Sequence, residues 1–598
     1  MFPRLANFLG RLPVAMFGAF VRRRRRGGLR AKSAGVVRST GALLLREATA
    51  RRLTTRAVMM IRMLDRRQPS RAIRDARQVA AALSVSLQRF AGPGVGLAVA
   101  GLLCLLEGVV RPYGPDLSAQ IARANASARG VTIWWGGWYG GTNVVGYSWL
   151  SGPVMQHVGV IAVAILACLA IAVLAGDLLR GCRRPVAGSA ASALAAGADM
   201  FSGRVTFAVG MVAALAALAL LRRGRLVPAA AAAAVSGPAS PLAALFVVVA
   251  VAALAVTDRR AWLRALLVGA AAALPVAGSA LLFGQPSVMP FGAVVLIPTL
   301  LTCALLAAAP APPAVRAAAA ISAAIALIAF LVPSEVGSTA GRVPMLAAGP
   351  VLLATVRWPT RQVIAAVVGL AVWPAVNLAT DLRPSSDPSV SAGYYQPLLG
   401  HLPAAGRATR RLEVVDPSSH GADAYLPARI PLARGWLRGD DFAANRLFYE
   451  PTLSATDYRS WLSQHAVGWV ALPDVSLDYG ARTEGRLVAA GVPFLRQVWH
   501  GEHWRLFEVA APAPMADGVA AVTAMSDTAI ELSARSAGLA TVRLPYSRLL
   551  SLRGLGGRDV GCVAASADGT GTVLSIPAAG SYLLRGDLDA FASTAAAC

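Results

Sequence analysis

From Gly92 to Leu382 the chain reads as eleven apolar runs divided by short polar breaks: residues 93–110, 156–178, 186–200, 204–221, 226–238, 241–256, 262–283, 289–309, 314–332, 343–356 and 361–380. Such runs predict membrane-spanning helices, although 186–200 and 226–238 fall short of the roughly 20 residues that cross a bilayer upright. Beyond Pro384 the pattern changes. "DYRSWLSQHA" (457–466) and "GRLVAAGV" (485–492) have helical spacing, "VGWVALPD" (467–474) reads as a buried strand, and "FLRQVWHGEHWRLFEVA" (494–510) as a hairpin turning at Gly501. After Pro514, "TAIELSA", "LATVRLPY", "GTVLSIP" and "SYLLRGD" alternate at period two between turn residues, which predicts a small β-sandwich. The expected fold class is an α-helical polytopic membrane protein of about eleven spans with a C-terminal α/β plus β-sandwich region. Its expected parts are a basic, partly disordered segment (1–91), a membrane domain (92–382) with a long first loop (111–153), an α/β domain (383–513) and a β-rich module (514–598).

Composition supports the bilayer as solvent: 598 residues with a mean hydropathy of +0.56 and 56% hydrophobic residues are too apolar for a water-soluble protein. The net charge of +27 is uneven, since residues 1–90 hold twenty Arg and one Lys against Glu47, Asp65 and Asp75. A basic block just before a span marks the cytoplasmic side and meets anionic lipid; nucleic acid is not expected as a partner. Arginines then alternate by side. Arg180, Arg183, Arg184, Arg222, Arg223, Arg225, Arg259, Arg260, Arg316, Arg357 and Arg361 fall in loops on the same side as the N-terminus, and fewer (Arg123, Arg129, Arg204, Arg342) on the other. This predicts a multi-pass plasma-membrane protein with a cytoplasmic N-terminus and, for an odd span number, residues 383–598 outside. No secretory signal is expected, because the first long apolar run begins only near Gly92. Cys104, Cys168, Cys182 and Cys303 read as packing residues, whereas Cys562 and Cys598 in an exported region suit a disulfide.

The long first loop carries the most suggestive chemistry. Asp116 precedes the helix-friendly "LSAQIARANASA", where it is either a helix N-cap or a general base or metal ligand at the headgroup level. Gln120, one turn on, shares its helical face. "WWGGWYGG" supplies Trp134, Trp135, Trp138 and Tyr139, which suit either an interfacial aromatic belt or a sugar-stacking surface approached through the glycines. Two further loops each pair an acid with an arginine: Asp199 with Arg204, and Glu335 with Arg342. These are ordinary loop charges, or else groups for a hydroxyl proton and a phosphate. Glu107, inside the first span, is a functional candidate or a local ion pair with Arg111. In the exported region His420, Tyr425, Arg434 and Trp436 are candidates for a sugar-binding face.

With "PDLSAQIARA", "WWGGWYGG", "YSWLSGP", "SPLAALF", "VGSTAGR" and "NRLFYEPTLSATDYRSWLSQHAVGWVALPD", roughly residues 95–590 resemble a group of large actinobacterial integral membrane proteins. That group looks like part of the GT-C glycosyltransferase superfamily, related to 6-pyruvoyl-tetrahydropterin-synthase-related membrane proteins. The resemblance implies transfer of a sugar from a polyprenyl-phosphate donor to a cell-envelope glycan acceptor on the outer face, with membrane lipid as surroundings. It implies Asp116 as base or metal ligand, with Asp199 and Glu335 as further acids, and Arg204 or Arg342 stabilising the departing lipid phosphate. A divalent cation is the candidate cofactor; its ligands are not identified. Two departures stand out: Gly421 and Ala422 follow His420 where the group's pattern has a Trp and an acid, and Asp116 lacks a second acid beside it. A transporter or flippase, or a non-catalytic envelope-assembly protein, are the alternative readings.

Overall fold

A computed structural model describes residues 91–586 and 588, apart from 555, 558 and 559; the basic N-terminal segment and Cys598 lie outside the described residues. Each of the eleven apolar runs forms a helix: α1 (Ala91–Val110), α4 (Val160–Leu178), α5 (Pro185–Phe201), α6 (Val205–Arg222), α7 (Leu226–Ala239), α8 (Pro241–Thr257), α9 (Trp262–Phe283), α10 (Ala293–Ala308), α11 (Pro313–Leu331), α12 (Arg342–Thr355) and α13 (Thr360–Asp381). Two more, α2 (Pro115–Ala128) and α3 (Ser151–Val158), belong to the long first loop. Six of the described helices, α1, α4, α6, α9, α11 and α13, are long and apolar enough to cross a membrane. The others are cut short by identifiable breaks. Gly159 at φ +92° separates α3 from α4 inside what reads as one apolar run, and extended Ser240 separates α7 from α8. Residues 284–292 form no helix or strand, so α10 starts only at Ala293.

Packing among these helices suits a lipid surround. Their contacts are made by small side chains, with Ala193, Ala217, Ala229, Ala233, Ala243 and Ala272 fully buried, while Leu105, Val109, Leu281 and Leu331 project outward. Small residues let backbones approach where no water-driven force exists between helices.

The C-terminal half contains two β structures. A four-stranded mixed sheet has the order β3 (Arg411–Val414), β4 (Val467–Pro473), β6 (Trp504–Val509), β5 (Leu495–His500); β3 and β4 are parallel and the other pairs antiparallel. After it come eight strands, β7 (Ala516–Gly518), β8 (Ala520–Met525), β9 (Ala529–Ala534), β10 (Gly538–Val542), β11 (Leu550–Gly554), β12 (Val563–Ala565), β13 (Thr572–Ile576) and β14 (Gly580–Gly586), which form two antiparallel four-stranded sheets in the orders β12-β13-β10-β7 and β11-β14-β9-β8. They share a core of Ile530, Leu532, Val542, Leu552, Leu574, Ile576 and Leu584, placed inward by the strand period of two.

Beneath the mixed sheet lies a fully buried charged network. Arg434 holds Asp441 through two hydrogen bonds (3.0 and 2.7 Å) and reaches Glu484 at 3.3 Å and Glu413 at 3.6 Å. Neither Glu413 oxygen has a hydrogen-bond partner. Burial pushes the carboxyls of Glu413 and Glu484 up, and for Glu413 the neighbouring Glu484 charge adds to it. A folded state that holds protons the unfolded chain releases loses stability as pH rises between the two pKa values. Melting temperature is therefore expected to fall from about pH 4.5 towards pH 7, the window set by Glu484. Glu413→Gln is expected to flatten that fall, read as thermal melting at several pH values.

Candidate functional site

One large cavity, of about 1790 Å³, lies between the membrane helices and the mixed-sheet domain. Its lower wall is apolar, formed by Phe207 of α6, Leu242, Leu245 and Val248 of α8, and Val276 and Ala280 of α9. Where the helices end, the lining becomes charged: Asp116, Arg204, Glu335, Arg342 and Asp381 all face it.

Arg204 organises this end. Its guanidinium pairs with Asp116 (3.3 Å), Asp199 (3.1 Å) and Asp381 (2.8 Å), and Arg342 approaches Asp116 at 3.8 Å. The tight turn between α5 and α6 sets this up. Gly203 takes φ +76°, and a Cβ there would lie 2.5 Å from the Leu117 amide, so only glycine lets the turn sit against α2 and bring Arg204 to Asp116. Asp116 is not an N-cap. Gly114 occupies that position, and the Asp116 carboxylate turns towards the arginines. Gln120 lines the cavity too, but its oxygen accepts from Thr206 and its amide donates to the Asp116 carbonyl (3.3 Å). Asp199 is buried behind Arg204. Glu335 faces the cavity, where burial raises its carboxyl. Glu107 forms no ion pair with Arg111 among the described residues, and its Oε2 is buried without a hydrogen-bond partner.

The aromatic loop is placed differently from a sugar-stacking surface or a membrane belt. The short strand β1 (Trp134–Trp135) pairs with β2 (Thr142–Asn143), and successive strand side chains point to opposite faces. Trp134 consequently enters the sandwich core, while Trp135, Trp138 and Tyr139 enter the core of the mixed-sheet domain with Leu412, Trp469 and Trp504. Three of these rings have their polar edges satisfied by protein, whereas the buried Trp134 Nε1 has no hydrogen-bond partner among the described residues. Trp135 donates to Asp527 (2.6 Å), Trp138 to the Asp423 carbonyl (3.3 Å), and Tyr139 to Gly435. The glycines admit protein and not a ligand: a Cβ on Gly140 would lie 2.5 Å from the Arg411 guanidinium. Trp135 and Trp138 still touch the cavity wall; Trp134 and Tyr139 do not line it. Trp135→Phe is expected to lower stability by about 1.5–3 kcal/mol, the worth of a hydrogen bond to a charged group, with Asp527 keeping its Arg129 partner. Thermal melting reads this; an unchanged melting temperature would return Trp135 to a purely ligand-facing role.

The upper wall of the cavity includes His420, Trp436, Arg438, Asp440 and Asp478. His420 stacks flat on Trp436, with ring centroids 3.5 Å apart and planes at 9°. Asp416 bonds its Nδ1, and Asp478 stands 3.6 Å from Nε2. Arg438 grips both Asp478 oxygens (2.9 and 2.8 Å) and lies 4.6 Å from the Trp436 ring. Burial opposes ionisation of Asp478, but its neighbours His420 and Arg438, the latter bonded to both oxygens, outweigh it and hold the carboxyl down at about 2. Asp440 is pushed up to about 6 by burial, with the Glu335 charge adding to it. Tyr425 and Arg434 are not on this wall: Tyr425 donates to the Val390 carbonyl (3.2 Å), and Arg434 is the centre of the buried network.

Thus Asp116, Gln120, Arg204, Glu335, Arg342, His420 and Trp436 meet at one cavity. Asp381, Asp416, Asp440, Asp478 and Arg438 belong to the same region and were not anticipated by the sequence reading. Asp381 joins Arg204 from 177 positions away, a separation that no local spacing signals. Cys562 is disulfide-bonded; Cys598 lies outside the described residues.

No family model matches the chain, and no curated protein matches it. Among solved structures the chain is similar to that of the arabinofuranosyltransferase AftD from Mycobacteria, with 16% identity and a TM-score of 0.38. The similarity covers 70% of this chain and 42% of that one, so the chain spans less than half the length of the protein it is compared with.

Proposed function

We propose that the protein is a membrane-bound glycosyltransferase that takes a sugar from a polyprenyl-phosphate donor and passes it to a cell-envelope glycan on the extracytoplasmic face. One observation carries this reading: a single cavity joins an apolar slot between α6, α8 and α9 to a charged floor at the helix ends. An isoprenoid chain fits the slot and a phosphosugar head fits the floor. In this reading the basic N-terminal segment is cytoplasmic and the β-containing half lies outside.

The two arginines take different roles. Arg204 is committed to three carboxylates, so it positions acids and has little capacity left for a ligand. Arg342 has one long contact, to Asp116, and is the group that meets the donor phosphate. Drawing Arg342 onto the phosphate frees Asp116 to accept the proton of an attacking hydroxyl. The acceptor oxygen then bonds to the anomeric carbon as the bond to the phosphate oxygen breaks, with Arg342 holding the negative charge that develops there.

A transporter would keep its charged groups near the bilayer midplane. Asp116, Arg204, Arg342 and Asp381 instead stand at helix ends or in the turns between helices. Donor binding tests the proposal. A photoreactive polyprenyl-phosphate sugar is expected to crosslink to α8 or α9 in the wild type, and Arg342→Ala is expected to weaken that labelling about tenfold or more without changing the melting temperature. Labelling of the lipid-facing surface only, indifferent to Arg342, would overturn it.

A further inference from the structure

Above the cavity, the carboxylates of Asp416 and Asp423 and the imidazole of His420 bring three ligating atoms within 4.8 Å of one another. The charges around them do not balance. Asp478 is matched by Arg438, which grips both of its oxygens. Asp416 and Asp423 then share one imidazole, bonded to Asp416 and 4.0 Å from Asp423.

Asp423 is 4% exposed, and its carboxylate stands 4.0 Å from the His420 imidazole, beyond hydrogen-bond distance. Asp416 Oδ1 is buried without a hydrogen-bond partner. A partly exposed and a buried carboxylate with one imidazole between them leave negative charge that burial penalises unless a cation or a proton meets it.

The surroundings of His420 match what a metal ligand needs. Its Nδ1 faces the two acids, while Nε2 faces Asp478 at 3.6 Å. A ligating histidine commonly offers its second ring N–H to a carboxylate, which fixes the tautomer and the ring orientation. The flat stack on Trp436 fixes the ring plane as well.

We propose that Asp416, His420 and Asp423 form a divalent transition-metal site in the mixed-sheet domain. One imidazole nitrogen with two carboxylates suits Mn²⁺ or Zn²⁺ better than Ca²⁺ or Mg²⁺, which favour all-oxygen sets. The site is separate from the Asp116 cluster and does not depend on the protein transferring a sugar. Through His420 and Trp436, which both line the cavity, a cation here stiffens the wall facing the charged floor.

The test uses the full-length protein in lipid nanodiscs, stripped with a chelator and titrated with Mn²⁺ under electron paramagnetic resonance. One tight equivalent is expected, displaced by Zn²⁺ and showing coupling to a histidine nitrogen. Asp423→Asn and Asp416→Asn are expected to weaken binding by about tenfold or more, whereas Asp116→Asn leaves it unchanged. Should the Asp423 and Asp416 variants fail to fold, the nitrogen coupling in the wild type decides. Absence of stoichiometric Mn²⁺ or Zn²⁺ binding, binding without that coupling, or binding lost in Asp116→Asn but kept in Asp423→Asn would each overturn the assignment. None of these results bears on donor labelling, so the metal site and the transferase reading fail independently.

Discussion

Arg204→Ala is expected to destabilise the protein by about 3–5 kcal/mol, the usual cost of removing one partner from a buried ion pair. The guanidinium is 13% exposed and meets three carboxylates at once, of which Asp199 is the most buried at 6% exposed. Removing the positive charge strands Asp199 against Asp116 and Asp381, and Arg342 reaches only Asp116. The loss is expected as a lower yield of monodisperse protein and a depressed melting temperature in detergent. A second substitution identifies the cause. Adding Asp199→Asn to Arg204→Ala is expected to restore part of the stability, because the stranded charge is then gone. If the single variant melts with the wild type, Arg204 is not the organiser of the floor.

Asp116→Asn is expected to do the opposite: little to stability and much to activity. Its side chain is 33% exposed, and an ion pair that open to water contributes at most about 1 kcal/mol. An asparagine keeps the shape and can still meet the cavity, but it cannot accept the acceptor's proton. General-base catalysis contributes about 10²–10⁴-fold, so transfer is expected to fall by that factor while donor labelling persists. A variant that loses labelling and transfer together would instead assign Asp116 to donor binding.

The helices were legible because lipid-facing and helix-facing positions are both apolar in a membrane protein, so each run stands out whichever face it covers. Their ends were less so. The break at Ser240 was read between the runs 226–238 and 241–256, but Gly159 interrupts the run 156–178 without any change of polarity, and only the backbone conformation shows that a helix stops there. The hairpin at Gly501 was readable because two apolar, aromatic-bearing segments flank a short polar turn. Of the site, Asp116, Arg204 and Arg342 were conspicuous as charges beside apolar runs. Their assembly was not, since Asp381 and Asp478 reach it from distant chain positions. The stretch around Tyr425 and Arg434 misled for a chemical reason. A buried ionic network and a sugar-binding face draw on the same residues, and burial alone separates them. The tryptophans of the first loop show the same ambiguity, resolved by two neighbouring rings entering two different cores.

Sugar transfer itself tests the central claim most directly. Purified protein in proteoliposomes would be given a labelled polyprenyl-phosphate sugar and cell-envelope glycan as acceptor, with the wild type and Asp116→Asn compared. Label moving onto the glycan in the wild type, and lost in Asp116→Asn at equal protein fold and equal donor labelling, is the predicted result. Folded wild-type protein that transfers nothing from any polyprenyl-phosphate sugar, or an Asp116→Asn variant that transfers at the wild-type rate, would contradict it.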